Sequence, residues 1–292
     1  MIPRRDEFRL EEENDEEIVK FASEHMVCLL AIIAPFTPER VAPRRVVFAE
    51  FRYPEEFMTE EFIEKVAQRF PNKEKRPPLY LLIHSPGGEV SSAYVIASVL
   101  RENFDKIITF VPHIAASGAT LLSISSNEII MGDISQLSPI DPYYIEGERV
   151  IYAISLISAF KNLDEYFRTK DVEEASYPYQ HFANCLYPES YDRAVRLVEM
   201  VDGYANELLE KAGYDEQKRK EIIGELLYQA SLHQETIRFN RAKEIGLKVK
   251  HYKESNEYTE AWTVMRSWLR KYYLQPSPIH IMRYVLPSGG EQ

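Results

Sequence analysis

Between residues 78 and 131 the sequence repeats one pattern: a continuous apolar run, a turn of small residues, and a helix. The runs "PPLYLLIHSPGG" and "DKIITFVPH" have the composition of strands buried in a parallel sheet, each ending at a turn. The helices "SSAYVIASVLREN" and "ATLLSISS" follow the turns, and the strand "NEIIM" closes the second unit. This alternation predicts an α/β fold with right-handed crossover connections.

The pattern changes on both sides of this region. We predict an acidic N-terminal arm at residues 1–25 and an α/β domain at 26–254. After residue 150 long amphipathic helices replace the alternation, which predicts a helical insertion at about 155–230. Residues 255–292 contain both tryptophans of the chain and are expected to form a helix and a tail. The tail is expected to wrap the surface or to pack against a neighbouring subunit.

Composition narrows the classes of function. The 292 residues carry a net charge of -11, which argues against general nucleic-acid binding. The two cysteines have no metal-ligand or disulfide spacing. The apolar run at 26–36 is shorter than the about 20 residues that a membrane-spanning helix needs. We therefore expect a cytoplasmic protein with no transmembrane segment, leaving peripheral membrane contact open.

Phosphate-loop, dinucleotide-binding and zinc-protease motifs are absent from the sequence, so we expect no cofactor and no metal.

Two turns of small residues follow two predicted strands, at 84–88 (HSPGG) and at 115–118 (AASG). In an open α/β sheet both turns lie at the carboxyl ends of strands, where binding sites are usually built. Acyl transfer requires a nucleophile on a tight turn and free backbone amides aimed at the oxygen that becomes charged. A glycine pair offers amides without a Cβ, and Ser117 opens a helix whose first amides are unpaired. The two turns together predict an acyl-transfer site.

The segments "LLIHSPGGEVSSAYVIASVL", "VPHIAASGATLLSISSNEIIM" and "LSPIDP" resemble the superfamily of ClpP and the signal-peptide peptidase SppA. Within it, the chain resembles the serine dehydrogenase proteinases, and "SLHQETIRFNRAKEIGLKV" at 231–249 looks like that branch's closing motif. The resemblance implies a ClpP/crotonase-like spiral of ββα units with additional C-terminal helices. It also implies a homo-oligomeric serine peptidase that acts on peptides or unfolded proteins.

The resemblance assigns roles to the residues of the two turns. Ser117 takes the position of the nucleophile, which forms the acyl-enzyme. Gly87, Gly88 and Gly118 take the positions of the oxyanion hole, whose backbone amides stabilise the charged oxygen.

The general base has two candidates. The serine dehydrogenase proteinase branch has the order Ser, Asp, His, which carries over to Asp141 and His233. The SppA-like enzymes use a Ser–Lys dyad instead, which carries over to Lys161 in "ISAFKNLDEYF". His113 and His84 each end a predicted strand beside a site turn, and either could assist the reaction.

Two other functions stay open at the level of sequence. A crotonase-like acyl-CoA enzyme would use the same pair of amides without a serine nucleophile, and Glu89 directly after the glycine pair is compatible with it. A catalytically inactive binding scaffold would keep the fold and lose the base.

Overall fold

In this computed structural model the described residues are 10–35, 39–42, 45–47, 49–185, 187–229, 235–275 and 277–288. The described strands are β1 (Glu11–Glu12), β2 (Cys28–Ile33), β3 (Glu39–Ala42), β4 (Arg45–Val47), β5 (Leu79–His84), β6 (Ile107–Val111), β7 (Ile114–Ala115), β8 (Glu128–Met131), β9 (Gln136–Leu137), β10 (Tyr143–Glu146), β11 (Arg149–Tyr152), β12 (Val249–His251) and β13 (Ile281–Val285). The described α-helices are α1 (Glu16–His25), α2 (Tyr53–Arg69), α3 (Val90–Asn103), α4 (Gly118–Ile124), α5 (Ala153–Phe167), α6 (Tyr179–Cys185), α7 (Pro188–Lys211), α8 (Glu216–Ile223), α9 (Phe239–Ile245) and α10 (Asn256–Tyr272).

A seven-stranded sheet organises the chain, in the order β1-β13-β2-β5-β6-β8-β12. Its neighbouring strands pair in parallel, except that β13 runs antiparallel to β2. Every residue of β2, β5 and β6 is buried, as expected for parallel strands covered on both faces. The predicted α/β class is confirmed.

Helices cover both faces of the sheet. On one face α2, α3, α4 and α7 form a core with residues such as Leu81 and Ile83 of β5. On the other face α1 and α10 pack on residues such as Tyr80 and Leu82 of the same strand. Successive side chains of a strand point to opposite faces, so β5 contributes alternately to the two cores. This alternation also separates Ser85 from His84, just beyond the apolar stretch.

The boundaries of several helices follow from local chemistry. Asp15 caps α1 by accepting a hydrogen bond from the amide of Glu17. Pro188 is the first residue of α7, where its missing N–H is not needed. Gly246 ends α9 with a φ of 97°, a left-handed conformation that favours glycine. None of the described helices has the length and apolar character needed to cross a membrane.

The N-terminal and C-terminal segments meet in the sheet. β1 pairs in parallel with β13, and α1 contacts α10. The side chain of Glu13 is 1% exposed, and its carboxylate accepts hydrogen bonds from Trp268 Nε1 at 2.9 Å, Tyr272 OH at 2.7 Å and Lys271 Nζ at 2.7 Å. Glu13 thereby fastens the N-terminal segment to α10. The division into arm, central domain, insertion and tail stays a prediction.

Candidate active site

The two small-residue turns are neighbours at the carboxyl edge of the sheet. β5 and β6 run in parallel, and each leads into one of the turns. Beyond the strands, Ser85 N donates to Ile114 O at 2.9 Å, and Ala116 N donates to Ser85 O at 3.0 Å. These two hydrogen bonds hold the glycine turn beside the turn that carries Ser117.

Ser117 has a strained backbone. Its φ of 50° and ψ of -116° are rare for a residue with a side chain, and it immediately precedes α4. Its amide donates to Ser138 Oγ at 2.8 Å, and the amide of Ser138 in turn donates to Thr120 Oγ1 at 3.1 Å. Within the described residues Ser117 Oγ has no hydrogen-bond partner. Surrounding bonds therefore hold Ser117 in a costly conformation with its hydroxyl available, a combination found at active sites.

The paired glycines can only be glycines. Gly87 and Gly88 have φ values of 107° and 139°, which side-chain-bearing residues rarely adopt. A Cβ on Gly87 would lie 2.6 Å from Ala116 O and 2.9 Å from Ser117 Cβ. A Cβ on Gly88 would lie 2.1 Å from Phe51 N. The backbone of this turn therefore approaches Ser117 on one side and Phe51 on the other.

Hydrogen bonds fix the direction of the amides in the glycine turn. Gly87 N donates to Ser85 Oγ at 3.0 Å, so this amide is already occupied. Gly87 O accepts from Phe51 N at 2.8 Å. Because the C=O and N–H of a trans peptide point in opposite directions, the amide of Gly88 points away from Phe51.

Two amides beside Ser117 remain open. In the part of the chain that the structure describes, neither Gly88 N nor Gly118 N has an acceptor. A Cβ on Gly118 would lie 3.6 Å from Gly88 N, which shows how closely the two turns approach. Gly118 is also the first residue of α4, where the backbone amides lack partners within the helix.

Ser117, Gly88 and Gly118 line one cavity of about 580 Å³. The cavity is also lined by α7 through Arg193, Leu197 and other residues, and by the segment that leads into β10. The guanidinium of Arg193 lies 4.4 Å from the centre of the Tyr144 ring. The volume is within the range of small-ligand sites. The remaining lining residues are Glu50, Phe51, Arg52, Glu89, Val90, Ser91, Leu121, Ile140, Pro142, Tyr143, Arg196 and Met200.

Asp141 lies between two cavity-lining residues, Ile140 and Pro142. The residue is 6% exposed, and its Oδ1 has no hydrogen-bond partner among the residues that the structure describes. Burial raises the pKa of Asp141 to about 6, against the opposing effect of a backbone hydrogen bond at Ile154. Asp141 is therefore a buried carboxyl group with one oxygen still able to accept a hydrogen bond.

His233 lies outside the described residues, in the interval 230–234. The chain on either side of that interval is held to the segment that contains Ser138. Leu226 O accepts from Ile140 N at 3.0 Å, and Ile237 exchanges two hydrogen bonds of 2.9 Å with Leu137.

Lys161, the alternative candidate for the general base, does not line the cavity that contains Ser117. It lies on an exposed face of α5, and no residue of that helix lines the cavity of Ser117. The structure of the single chain does not bring Lys161 and Ser117 together.

His84 and His113 lie together, but they do not line the cavity. Their rings stack with centroids 5.3 Å apart, and Tyr273 OH, just beyond α10, lies 3.4 Å from His113 Nδ1. Burial, reinforced by His113 and His280, lowers the pKa of His84 to about 3, and burial also lowers the pKa of His113. Both rings are therefore neutral near pH 7, on the face of the sheet opposite Ser85.

Sequence reasoning missed a group of three buried residues beneath the glycine turn. His280 Nε2 lies 2.8 Å from Ser85 Oγ, and His280 Nδ1 lies 3.0 Å from Glu55 Oε1. The serine of the HSPGG motif was the available signal. His280 and Glu55 gave none, because only the folded chain brings them near that motif.

Among the described residues, no group of three or more His, Cys, Asp and Glu side chains could hold a metal ion. The groups that the described residues bring to this site are a serine hydroxyl, two open amides and a buried carboxyl group.

A family model described as ClpP-like SDH-type serine proteinase matches residues 53–281. Two uncharacterized proteins of Methanocaldococcus jannaschii are also similar to the chain. MJ0137 is 28% identical over 211 residues, covering 72% of this chain and 65% of that protein. MJ1495 is 26% identical over 206 residues, covering 66% of this chain and 59% of that protein. The chain thus spans less than two thirds of the length of either relative.

Two solved structures of mutants of the 1510-N membrane-bound stomatin-specific protease align with the chain. One has a TM-score of 0.44 at 12% identity and covers 72% of this chain and 78% of its own. The other, in complex with a substrate peptide, has a TM-score of 0.37 at 10% identity and covers 75% and 94%.

Proposed function

The chain belongs to the ClpP-like SDH-type serine proteinase family, and on that premise we propose that it hydrolyses peptide bonds through an acyl-enzyme on Ser117. The observation that carries the proposal is the pair of open amides, Gly88 N and Gly118 N, beside a serine on a strained turn. Such amides stabilise the negative oxygen of a tetrahedral intermediate, and each typically contributes about 3 kcal/mol to the transition state.

The proposed reaction has two steps. Ser117 Oγ attacks the carbonyl carbon while its proton passes to a histidine base, and the carbonyl oxygen becomes an anion bound by the two amides. The intermediate collapses, the C–N bond breaks, and the leaving amine takes the proton. Water then attacks the acyl group, which releases the carboxylic acid and restores the serine.

We propose His233 as the base and Asp141 as the carboxylate that orients it. In support, the described residues on both sides of 230–234 are hydrogen-bonded to the 137–140 segment. Four residues of extended chain reach about 14 Å, so a residue near Ile237 is within range of this edge of the cavity. Asp141 has a buried oxygen with no partner in the described part of the chain, which suits an acceptor for an imidazole N–H. Lys161, exposed on α5, has no comparable support.

Substrate and assembly belong to the proposal as well. The open cavity suits a peptide or an unfolded protein segment, and the proposed reaction uses no cofactor. Exposed apolar side chains on the β10–β11 hairpin, Ile145 and Val150, together with Phe182 of α6, support assembly into a homo-oligomer. The proposed compartment is the cytoplasm.

A fluorophosphonate probe tests the nucleophile. We expect mass spectrometry to find the label on Ser117, no labelling of Ser117→Ala, and normal labelling of Ser91→Ala, a matched control because Ser91 also lines the cavity. His233→Ala should slow labelling about 100-fold, as expected for loss of a general base, whereas Lys161→Ala should label like wild type. A label on another residue, or none, would contradict the proposal. Thermal stabilisation by acyl-CoA in an unlabelled protein would instead favour a crotonase-like enzyme.

A further inference from the structure

A buried chain of hydrogen bonds runs beneath the glycine turn. It passes from Glu55 on α2 to His280, the residue before β13, and on to Ser85. Ser85 and Glu55 are 0% exposed and His280 is 1% exposed. The three side chains have the chemical types of a Ser–His–Glu triad. Because the serine is sealed in the core, however, this group cannot attack a substrate itself.

The proton positions in the chain follow from its acceptors. Glu55 Oε1 faces His280 Nδ1 at 3.0 Å and also accepts from His280 N at 3.1 Å, while Glu55 Oε2 accepts from Arg52 N at 3.0 Å. A carboxylate only accepts, so His280 Nδ1 donates to Glu55 Oε1, and His280 Nε2 can then accept from the Ser85 hydroxyl. Ser85 Oγ then accepts from Gly87 N. Every group of the chain is satisfied, and its end is the glycine turn.

A second contact leads from the same histidine to the same glycine. The ring of Phe51 stacks on the ring of His280 with centroids 4.6 Å apart and an interplanar angle of 16°. The amide of Phe51 donates to Gly87 O. Both polar groups of Gly87 are thus held by partners that contact His280.

We propose that Ser85, His280 and Glu55 are positioning residues that aim the Gly88 amide at the oxyanion, an inference that rests on the function proposed above. Two glycines in sequence have great conformational freedom, so their amides need external support to keep one direction. Holding the N–H and the C=O of Gly87 fixes the following peptide plane, and Gly88 N–H lies in that plane. A buried polar network that is fully satisfied is rigid, which is what this task requires.

The Gly88 amide contacts the oxygen fully only in the transition state, so loss of its support should affect kcat rather than KM. We expect Ser85→Ala to lower the rate of acylation of a peptide ester about 10- to 100-fold with KM nearly unchanged, because small errors of alignment have effects of this size. The affinity for a peptide boronate should fall by a similar factor. His280→Gln should keep more activity than His280→Ala, since its amide oxygen can still accept from Ser85.

The control is Ser126→Ala. Ser126 is 2% exposed and its hydroxyl shares a hydrogen bond of 2.5 Å with Thr109 Oγ1, away from the glycine turn. It loses a buried hydroxyl as Ser85→Ala does, and it should acylate like wild type. Equal acylation rates for Ser85→Ala and Ser126→Ala, with wild type labelled on Ser117, would overturn the positioning role and leave the proposed function standing.

Amide exchange gives a readout that does not depend on activity. In Ser85→Ala the amide of Gly87 loses its acceptor, so NMR should show its hydrogen exchanging at least about tenfold faster than in wild type. An unchanged exchange rate would overturn the inference even in an active enzyme. Faster exchange in a protein that no serine-directed probe labels would overturn the proposed function. The catalytic role of the hydrogen-bond chain from Glu55 to Ser85 would be overturned with it.

Discussion

At the scale of single residues, the site concentrates groups whose environments cost free energy. Ser117 has a positive φ without being a glycine, and the buried Oδ1 of Asp141 has no partner within the described ranges. The backbone strain at Ser117 costs about 1–3 kcal/mol and persists only where surrounding contacts impose it. The bonds from Ser138 and Thr120 provide that constraint around Ser117. Ser117 lines the cavity and Asp141 lies between two residues that line it, so these costly groups are concentrated at one place, which packing alone does not require.

Asp141→Asn should stabilise the protein at neutral pH. The folded-state pKa of about 6 lies above the ordinary value of about 3.9, so the folded chain holds the proton more tightly than the unfolded chain. Stability contributed by Asp141 is therefore present below about pH 4, falls as the pH rises to about 6, and stays low above it. We expect Asp141→Asn to raise the free energy of unfolding by about 1–2 kcal/mol at pH 8, with no gain at pH 4.

Urea denaturation at the two pH values measures this effect, and peptide hydrolysis by the same variant should fall if Asp141 orients the base. Asp171→Asn is the control, because Asp171 is exposed. The same pH dependence in both variants would contradict the prediction.

At the scale of elements, strand alternation decides which side chains can reach which layer. Ser85 follows the β5 residues that face α2, and His84 follows those that face α10. The sequence predicts the strands, helices and turns from 78 to 131 because apolar spacing and small residues are local signals. It does not predict that β13 inserts beside β2, or that His280 reaches Ser85. Those contacts join distant parts of the chain, and no local pattern records them.

The Glu13 contact between the N-terminal segment and α10 should contribute strongly to stability. Burial raises the pKa of Glu13, but the hydrogen bonds from Lys271 and Tyr272 outweigh it and leave the pKa below its usual value. Glu13→Gln replaces one accepting oxygen with an NH2 group that faces donors. We expect the free energy of unfolding at pH 7 to fall by about 3 kcal/mol.

Chemical denaturation compares this variant with Glu12→Gln, which alters an exposed neighbour on β1. Unfolding of the two variants at the same urea concentration would show that the carboxylate contributes little.

At the scale of the whole molecule, neutral buried histidines should make the protein sensitive to acid. The unfolded chain takes up a proton on His84 near pH 6.5, while the folded chain does so only near pH 3. Stability is therefore complete above about pH 6.5 and falls as the pH drops towards 3. In His84→Gln the slope of stability between pH 6 and pH 4 should be shallower by about 1.4 kcal/mol per pH unit.

Denaturation curves at a series of pH values measure that slope. His181→Gln removes an exposed imidazole from α6 and should keep the wild-type slope. An unchanged slope in His84→Gln would mean that His84 takes up its proton at about the same pH in the folded chain as in the unfolded chain.

The position of β13 also has a consequence for the order in which the parts of the site are synthesised. β13 follows every other described element along the chain, yet it lies between β1 and β2, with His280 directly before it. A ribosome therefore produces Ser117 and the paired glycines long before it produces His280, which contacts the glycine turn through Ser85. Under the proposed function, the glycine turn of a nascent chain has no support from His280, and full activity is expected only after β13 has been synthesised.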